Sequence, residues 1–271
     1  MSASGSEPLF AGSIPQVYDS YLVPLIFETY AADLAARVAA LRPGRVLELA
    51  AGTGVVTRQL AATLPPASLI VASDISQPML DRAAATIGSD RRIEWRQADA
   101  LRLPFADASF DVVVCQFGVM FFPDKPQAFA EARRVLAPGG TLIFNVWGRI
   151  EENEFAHTVE LSLAALFPAD PPRFMGQVPH GYYQREAIDR DLVAGGLSSS
   201  VEFITLPARS RAATPRIAAV AFCQGTPMHN LIEARGSLTA ATDAAAAAIA
   251  ARFGPGPVDG KMQAHIAILS E

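Results

Sequence analysis

Lysine is almost missing from this chain. Only Lys125 and Lys261 occur in 271 residues, and the remaining positive charge is arginine, scattered singly or in adjacent pairs. The net charge is −5. There is no basic run and no stripe of aromatics among basic residues, so no nucleic-acid partner is expected. Net charge alone leaves specific RNA or protein substrates open, but a small molecule is the expected partner. Cysteine is equally scarce. Cys115 and Cys223 lie far apart, which excludes a disulfide framework and a cysteine metal cluster, and no metal site is expected. Cys115 sits inside an apolar run and reads as a buried thiol. No apolar run reaches the roughly 18 residues a membrane span needs. The opening stretch MSASGSEPLF has no basic segment followed by an apolar one, so it does not read as a secretion signal. A cytoplasmic setting is expected.

What the chain does have is apolar residues, 51% of the total, enough for a large core. RVLELA (45–50) is a short apolar run between Pro43-Gly44 and a glycine pair, the mark of a buried strand. Helical spacing follows from Val55 to Leu64. LIVAS (69–73) predicts a second strand ending at Asp74. Pro78 to Ile87 predicts the next helix, with Ser76 as its N-cap. RIEWR (92–96) alternates, as an edge-side strand would. FDVVVCQF (110–117) is a continuous apolar run suited to the middle of a parallel sheet. Pro126 to Leu136 reads as helix, stopped by a turn at Pro138-Gly139-Gly140, and TLIFNVW (141–147) as the fifth strand. Strands alternating with helices imply right-handed crossovers and a sheet covered on both faces. Ligands of such sheets sit at the carboxyl ends of the strands, here just after Ala50, Ser73, 96–98 and 115–117.

After residue 150 the pattern changes. Pro168, Pro171, Pro172 and Pro179 break a segment that is helical or irregular. VEFITL (201–206) and GKMQAHIAIL (260–269) read as two last strands, separated by helices at 214–234 and 238–253. The expected organisation is a single domain. It comprises an N-terminal helical cap (1–40), a ligand-binding core (41–150), a lid or substrate segment (151–200), and a final strand pair (201–271) carrying a helical insertion at about 208–255. No internal repeat is present.

The glycine loop decides which ligand the core suits. The dinucleotide fingerprint G-x-G-x-x-G needs a third glycine where helix and strand touch. Read from Gly52, the third position is Thr57. Read from Ala50, the loop is small-x-Gly-x-Gly, preceded by Glu48 inside the strand. An unpaired ionised acid is costly in a buried strand, so Glu48 is expected to face a cationic or amine-bearing ligand. The pattern resembles motif I of the class I S-adenosylmethionine-dependent methyltransferases. That cofactor has no phosphate, so the loop has only to offer bare backbone, which favours Gly52 and Gly54. The family usually has glycine at the first small position, and Ala50 departs from it.

Further stretches carry the resemblance across residues 44–147. Asp74 closes the second strand, where an acid accepts from ribose hydroxyls in NAD and S-adenosylmethionine alike. DISQPMLDRAAA (74–85) resembles the segment in which Ile75 and Met79 pack against adenine, although Met79 also suits an ordinary helix core. In QADALRLPFADASFDVV (97–113), Asp99 is expected to accept from the adenine amine and the backbone N–H of Ala100 to reach a ring nitrogen, while Asp111 orders its loop. Gln116 and Phe117 stand where the family lines the methyl-transfer region. The (N/D)-P-P-(Y/F) element of many amino methyltransferases is replaced by Cys115-Gln116-Phe117-Gly118, which argues against base-amine methylation.

The resemblance, closest to the ubiquinone/menaquinone-biosynthesis (type 11) branch, implies an α/β fold. This is a Rossmann-like doubly wound seven-stranded sheet, mostly parallel with the last strand antiparallel, plus helical lid and insertions. It implies S-adenosyl-L-methionine as cofactor, S-adenosyl-L-homocysteine as product, and a small-molecule acceptor of unspecified O, C or N atom. Tyr18, in the segment before the core, is expected to close over the cofactor. His180, Tyr182 and His229 are the candidates for a general base or orienting group, with His157 and Tyr183 behind them. The insertion is expected to cover the substrate or to build a homodimer face. Two rival readings are an S-adenosylmethionine-binding protein without transferase activity of its own and an NAD-dependent oxidoreductase.

Overall fold

The apolar runs at 45–49 and 110–116 become adjacent central strands, and the rest of the fold is arranged around them. The computed structural model describes Gly12, residues 14–197 and residues 201–270. MSASGSEPLF therefore lies outside the described residues. Seven strands form one sheet: β1 (Arg45–Leu49), β2 (Leu69–Asp74), β3 (Ile93–Gln97), β4 (Phe110–Gln116), β5 (Leu136–Trp147), β6 (Glu202–Ala212) and β7 (Val258–Ser270), in the order β3-β2-β1-β4-β5-β7-β6. The first five pair in parallel, and β7 runs antiparallel to both β5 and β6. This is the Rossmann-like sheet expected from the sequence, with one reversed strand. Strand order turns back at β1, which has β2 on one side and β4 on the other. A crevice therefore opens beyond the carboxyl ends of these strands. Asp111 fastens the opposite end: its carboxylate accepts from the N–H groups of Gly44 and Arg45, both at 2.8 Å.

Helices α2 (Glu28–Ala40), α3 (Val55–Thr63), α4 (Gln77–Ile87) and α5 (Lys125–Val135) accompany this half of the sheet. Before α2, a short helix α1 (Ile14–Val17) runs into a ten-residue π-helix, Tyr18–Phe27, which contains Pro24. Proline has no N–H to give, and the wider π turn places Tyr18, Leu22 and Ile26 at four-residue intervals along one wall. The segment after β5 folds as α6 (Glu154–Leu166), α7 (Phe174–Gln177) and α8 (Arg185–Ala194). Between β6 and β7 stand α9 (Pro215–Gln224), α10 (Met228–Glu233) and α11 (Leu238–Phe253). α9 packs on the π-helix, and the alanine-rich α11 packs on α9 and α6. No helix among the described residues is long and apolar enough to cross a membrane.

The structure departs from the sequence expectation at several elements. The helix expected over 214–234 is two helices, because Gly225 and Pro227 interrupt it. The Pro138-Gly139-Gly140 turn is instead part of β5, which begins at Leu136. Leu136 pairs with Phe110, the register then shifts, and Gly139 absorbs the irregularity at φ +80°. β6 runs on to Ala212, paired with β7 along its length. Ser76 occupies the N-cap of α4, but its hydroxyl makes no capping bond. The Asp74 carboxylate accepts from the Ser76 N–H instead, at 2.8 Å.

Candidate functional site

At the carboxyl ends of β1, β2 and β4 the chain encloses a cavity of about 560 Å³, within the range of small-molecule sites. It has two ends of different character. One is built from the glycine loop and the exits of β2 and β3. Ala50, Gly52, Asp74, Ile75, Met79, Asp99 and Ala100 line it, all of them named from the sequence. Gly52 is held at φ +57°. A Cβ added there would approach the Met79 methyl group to 3.7 Å and the Tyr18 hydroxyl to 3.9 Å, so bare backbone faces the cavity. Ala50 also adopts a left-handed conformation, φ +53°. Its methyl faces Gly118, where an added Cβ would lie 2.5 Å from it.

Asp74 joins the loop to the strand exit. One carboxylate oxygen accepts from Gly52 N–H at 2.8 Å and the other from Ser76 N–H. Burial raises its pKa, and these backbone bonds work against the rise. Asp99 accepts from Leu101 N–H at 2.9 Å. Tyr18 covers this end, stacked on Phe27 with centroids 5.2 Å apart. Burial, followed by the Asp74 and Asp19 charges, drives its hydroxyl well above the usual range. Asp19, beside it, pairs with Arg82 at 2.9 Å and reaches Arg58 at 3.8 Å.

The junction between the two ends lies at the exit of β4. Both polar atoms of the Gln116 amide are buried and have no partner among the described residues. Phe117 is held left-handed, φ +51°, a strained conformation for a bulky residue. The Asn145 side chain fixes it there, accepting from Phe117 N–H at 2.9 Å. The Phe117 ring stacks flat on Trp147, centroids 3.8 Å apart and planes 5° from parallel. Beyond this stack the cavity is mostly apolar. Leu22, Ile26, Phe121, Phe122, Phe174 and Met262 are among its walls, and α9 contributes Phe222.

Two of the expected loop residues stand elsewhere. Glu48 does not line the cavity. It is 1% exposed and takes a 2.6 Å hydrogen bond from the Thr57 hydroxyl, so its partner is a neighbouring side chain and not a cationic ligand. Gly54 serves packing: at φ +79° a Cβ would meet Ile87, Ala83 and Trp95 at 3.0–3.2 Å. Of the three base candidates, only His180 reaches the cavity. The Tyr182 hydroxyl donates to Asp191 at 2.8 Å, and its ring carries Lys125. His229 lies 3.4 Å from Glu233 on α10. Trp147 and Asn145 went unremarked in the sequence. The available signal was Asn145 itself, a lone amide in the apolar run TLIFNVW.

The parallel sheet, its switch-point cavity and the acids at two strand exits define a doubly wound nucleoside-binding domain. Residues 47–144 match the family model described as the methyltransferase domain. Demethylmenaquinone methyltransferase of Deinococcus radiodurans is 46% identical over 110 residues, covering 40% of this chain and 45% of that protein. The chain spans about half the length of the curated relatives it matches. Among solved structures, phospholethanolamine N-methyltransferase 2 of Haemonchus contortus, in complex with S-adenosylhomocysteine, aligns over 96% of this chain and 56% of its own, with a TM-score of 0.60 and 16% identity. YcgJ of Bacillus subtilis aligns over 90% and 98%, with a TM-score of 0.56 and 17% identity. At such identities the structural likeness establishes the fold. The core of this chain is thus similar to S-adenosylmethionine-dependent methyltransferases.

The residues at the cavity's first end suit that cofactor. Its bare loop, buried carboxylate and unpaired Gln116 amide offer contacts to a nucleoside and an amino-acid group. Lys261 is the only lysine or arginine among the described residues lining the cavity, and it is paired with Glu152 at the other end.

Proposed function

We propose that this protein methylates a small, largely apolar acceptor held in the far half of the cavity. One observation supports this most: a single cavity runs from the glycine loop to an aromatic chamber, and an unpartnered amide, Gln116, sits between them. When bound, the sulfonium supplies an electrophilic methyl carbon. The chain supplies alignment and exclusion of water. Asp74 accepts from the ribose hydroxyls with the lone pairs that Gly52 and Ser76 leave open. Asp99 and the Ala100 N–H address the adenine, between Ile75 and Met79. Ala50 and Gly52 let the amino-acid portion lie on backbone. Gln116 and Phe117 flank the reacting atoms, and Tyr18 closes the nucleoside end. Residues 1–40 act as cap, 41–150 as cofactor core, 151–200 as lid, and 201–271 as the strand pair whose helices roof the chamber.

Calorimetry with S-adenosylhomocysteine and with NADH tests the cofactor. Micromolar binding of the first and none of the second is expected, and the reverse overturns the reading. Asp74→Ala is expected to weaken S-adenosylhomocysteine by about 1–3 kcal/mol, the cost of stranding buried polar partners. An unchanged dissociation constant refutes the ribose role. A metabolite screen for a methyl mass gain tests transfer. Tight cofactor binding with no product across a broad panel favours the binding-only alternative.

A further inference from the structure

The apolar chamber has several polar side chains in its wall, and nearly all are committed within the protein. The Asn153 amide donates to the carbonyls of Gly148, Arg149 and Gln263, and its oxygen accepts from Gln263 N–H. Ser210 donates to the Leu25 carbonyl and Thr226 to that of Phe222. Lys261 is paired with Glu152. His180 differs. It is 6% exposed, and its Nδ1 lies 2.9 Å from the Gly148 carbonyl oxygen. A carbonyl only accepts, so Nδ1 carries the hydrogen and Nε2 is left as a bare acceptor. Nε2 has no partner among the described residues. Burial pulls the imidazole pKa down to about 4, so the ring is neutral at ordinary pH. Its ring leans on Trp147, centroids 5.8 Å apart, and Trp147 stacks on Phe117 at the exit of β4. The lone acceptor thus borders an aromatic stack that leads toward the methyl-transfer end.

Resting on the reading of this cavity as an acceptor chamber, we propose that His180 is the specificity-determining residue of the chamber. Its Nε2 accepts a hydrogen bond from the hydroxyl of a neutral aromatic alcohol whose ring lies against the aromatic walls. The wall chemistry favours that class. Flat rings suit the Phe–Trp surfaces. An anionic acceptor would find Lys261, the one lysine or arginine among the described lining residues, already paired. A buried acceptor atom rewards a ligand that donates and penalises one that does not.

The test measures binding of 2-naphthol, 2-methoxynaphthalene and naphthalene to the full chain saturated with S-adenosylhomocysteine. Wild type is expected to prefer 2-naphthol over its methyl ether by about tenfold or more, the worth of one buried hydrogen bond. His180→Asn keeps a donor for the Gly148 carbonyl and removes Nε2. It is expected to abolish the preference and leave S-adenosylhomocysteine affinity unchanged. His180→Gln, which returns an acceptor oxygen near the Nε2 position, is expected to restore part of it. A merely structural role would lower thermal stability without changing the ratio between the two naphthalenes. Equal wild-type affinity for the alcohol and its ether, failure of all three compounds to bind, or a preference that survives in His180→Asn each overturns the proposal. The wild-type comparison stands by itself if a variant does not fold. Loss of S-adenosylhomocysteine binding by wild type sinks the methyl-transfer reading instead, so the two failures are distinguishable.

Discussion

Thr57 donates to Glu48 at 2.6 Å inside the protein, and this pair explains two oddities of the sequence together: an acid in a buried strand and a threonine where a dinucleotide loop has glycine. Burial pushes the Glu48 pKa up to about 8, against the Thr57 bond, which lowers it. The folded state therefore holds a proton that the unfolded chain releases near pH 4.5. Stability is full below that pH, falls as pH rises toward 8, and levels off above it, with a slope of at most about 1.4 kcal/mol per pH unit. His180 acts in the opposite sense. Its lowered pKa removes stability as pH falls from 6.5 toward 4. Glu151 and His157 act on the same ring, the first raising its pKa and the second lowering it. Glu48→Gln isolates the first effect. Its stability relative to wild type is expected to improve steadily from pH 5 to 8 in urea titrations, and parallel curves would refute a protonated Glu48. The sequence marked Glu48 as anomalous, but its partner lies nine residues on, across a helix turn that spacing alone did not connect. Asp74 was easier to find, because a strand's end fixes where its last side chain points.

At the scale of elements, the loop between β1 and α3 carries a strain that can be measured. Ala50 sits at φ +53°, where a residue with a Cβ loses about 1–2 kcal/mol. Ala50→Gly is expected to stabilise the protein by up to about 1 kcal/mol after the added chain entropy of glycine is offset, read as a higher midpoint in urea. A loss of stability would mean that the methyl's contacts outweigh its backbone cost. The π-helix has its own fastening. Asp19, with its side chain only 8% exposed, binds Arg82 on α4 and reaches Arg58 on α3. Arg82→Ala is expected to speed S-adenosylhomocysteine release several-fold in stopped-flow displacement, with thermal stability nearly unchanged. An unaltered off-rate would show that the π-helix does not gate the nucleoside end. Strands were legible from apolar runs, and α11 was legible at its expected bounds, 238–253. The π-helix was not, since its residues read as ordinary helix and the wider turn is seen only in the folded chain, where α9 packs on it. Likewise, the glycines at 139–140 signal a turn in isolation, yet pairing with β4 on either side, at Leu136 and Thr141, carries them within the strand.

For the whole molecule, one cavity is walled by elements distant in sequence: the π-helix, the exits of β1, β2 and β4, the segment after β5, and α9. A ligand bound there ties the parallel half of the sheet to the antiparallel pair. Saturating S-adenosylhomocysteine at one hundred times its dissociation constant is expected to add about 2.7 kcal/mol, seen as a rise of roughly 5–10 °C in midpoint. No rise at that occupancy would mean the cavity does not hold the cofactor. The class of fold and the residues lining the glycine-loop end of the cavity were legible because strand exits and the glycine loop are local patterns. The apolar end was not, because its walls come from separate stretches, from the π-helix to β7, that only folding brings together. Helices α9 to α11 hang as one excursion between the two strands β6 and β7, and the nucleoside floor is built entirely from earlier chain. The roof can thus be rewritten by drift, or replaced wholesale by a graft, while the floor stays intact. A lineage carrying this scaffold has a ready path to new occupants of the chamber without rebuilding the glycine-loop end.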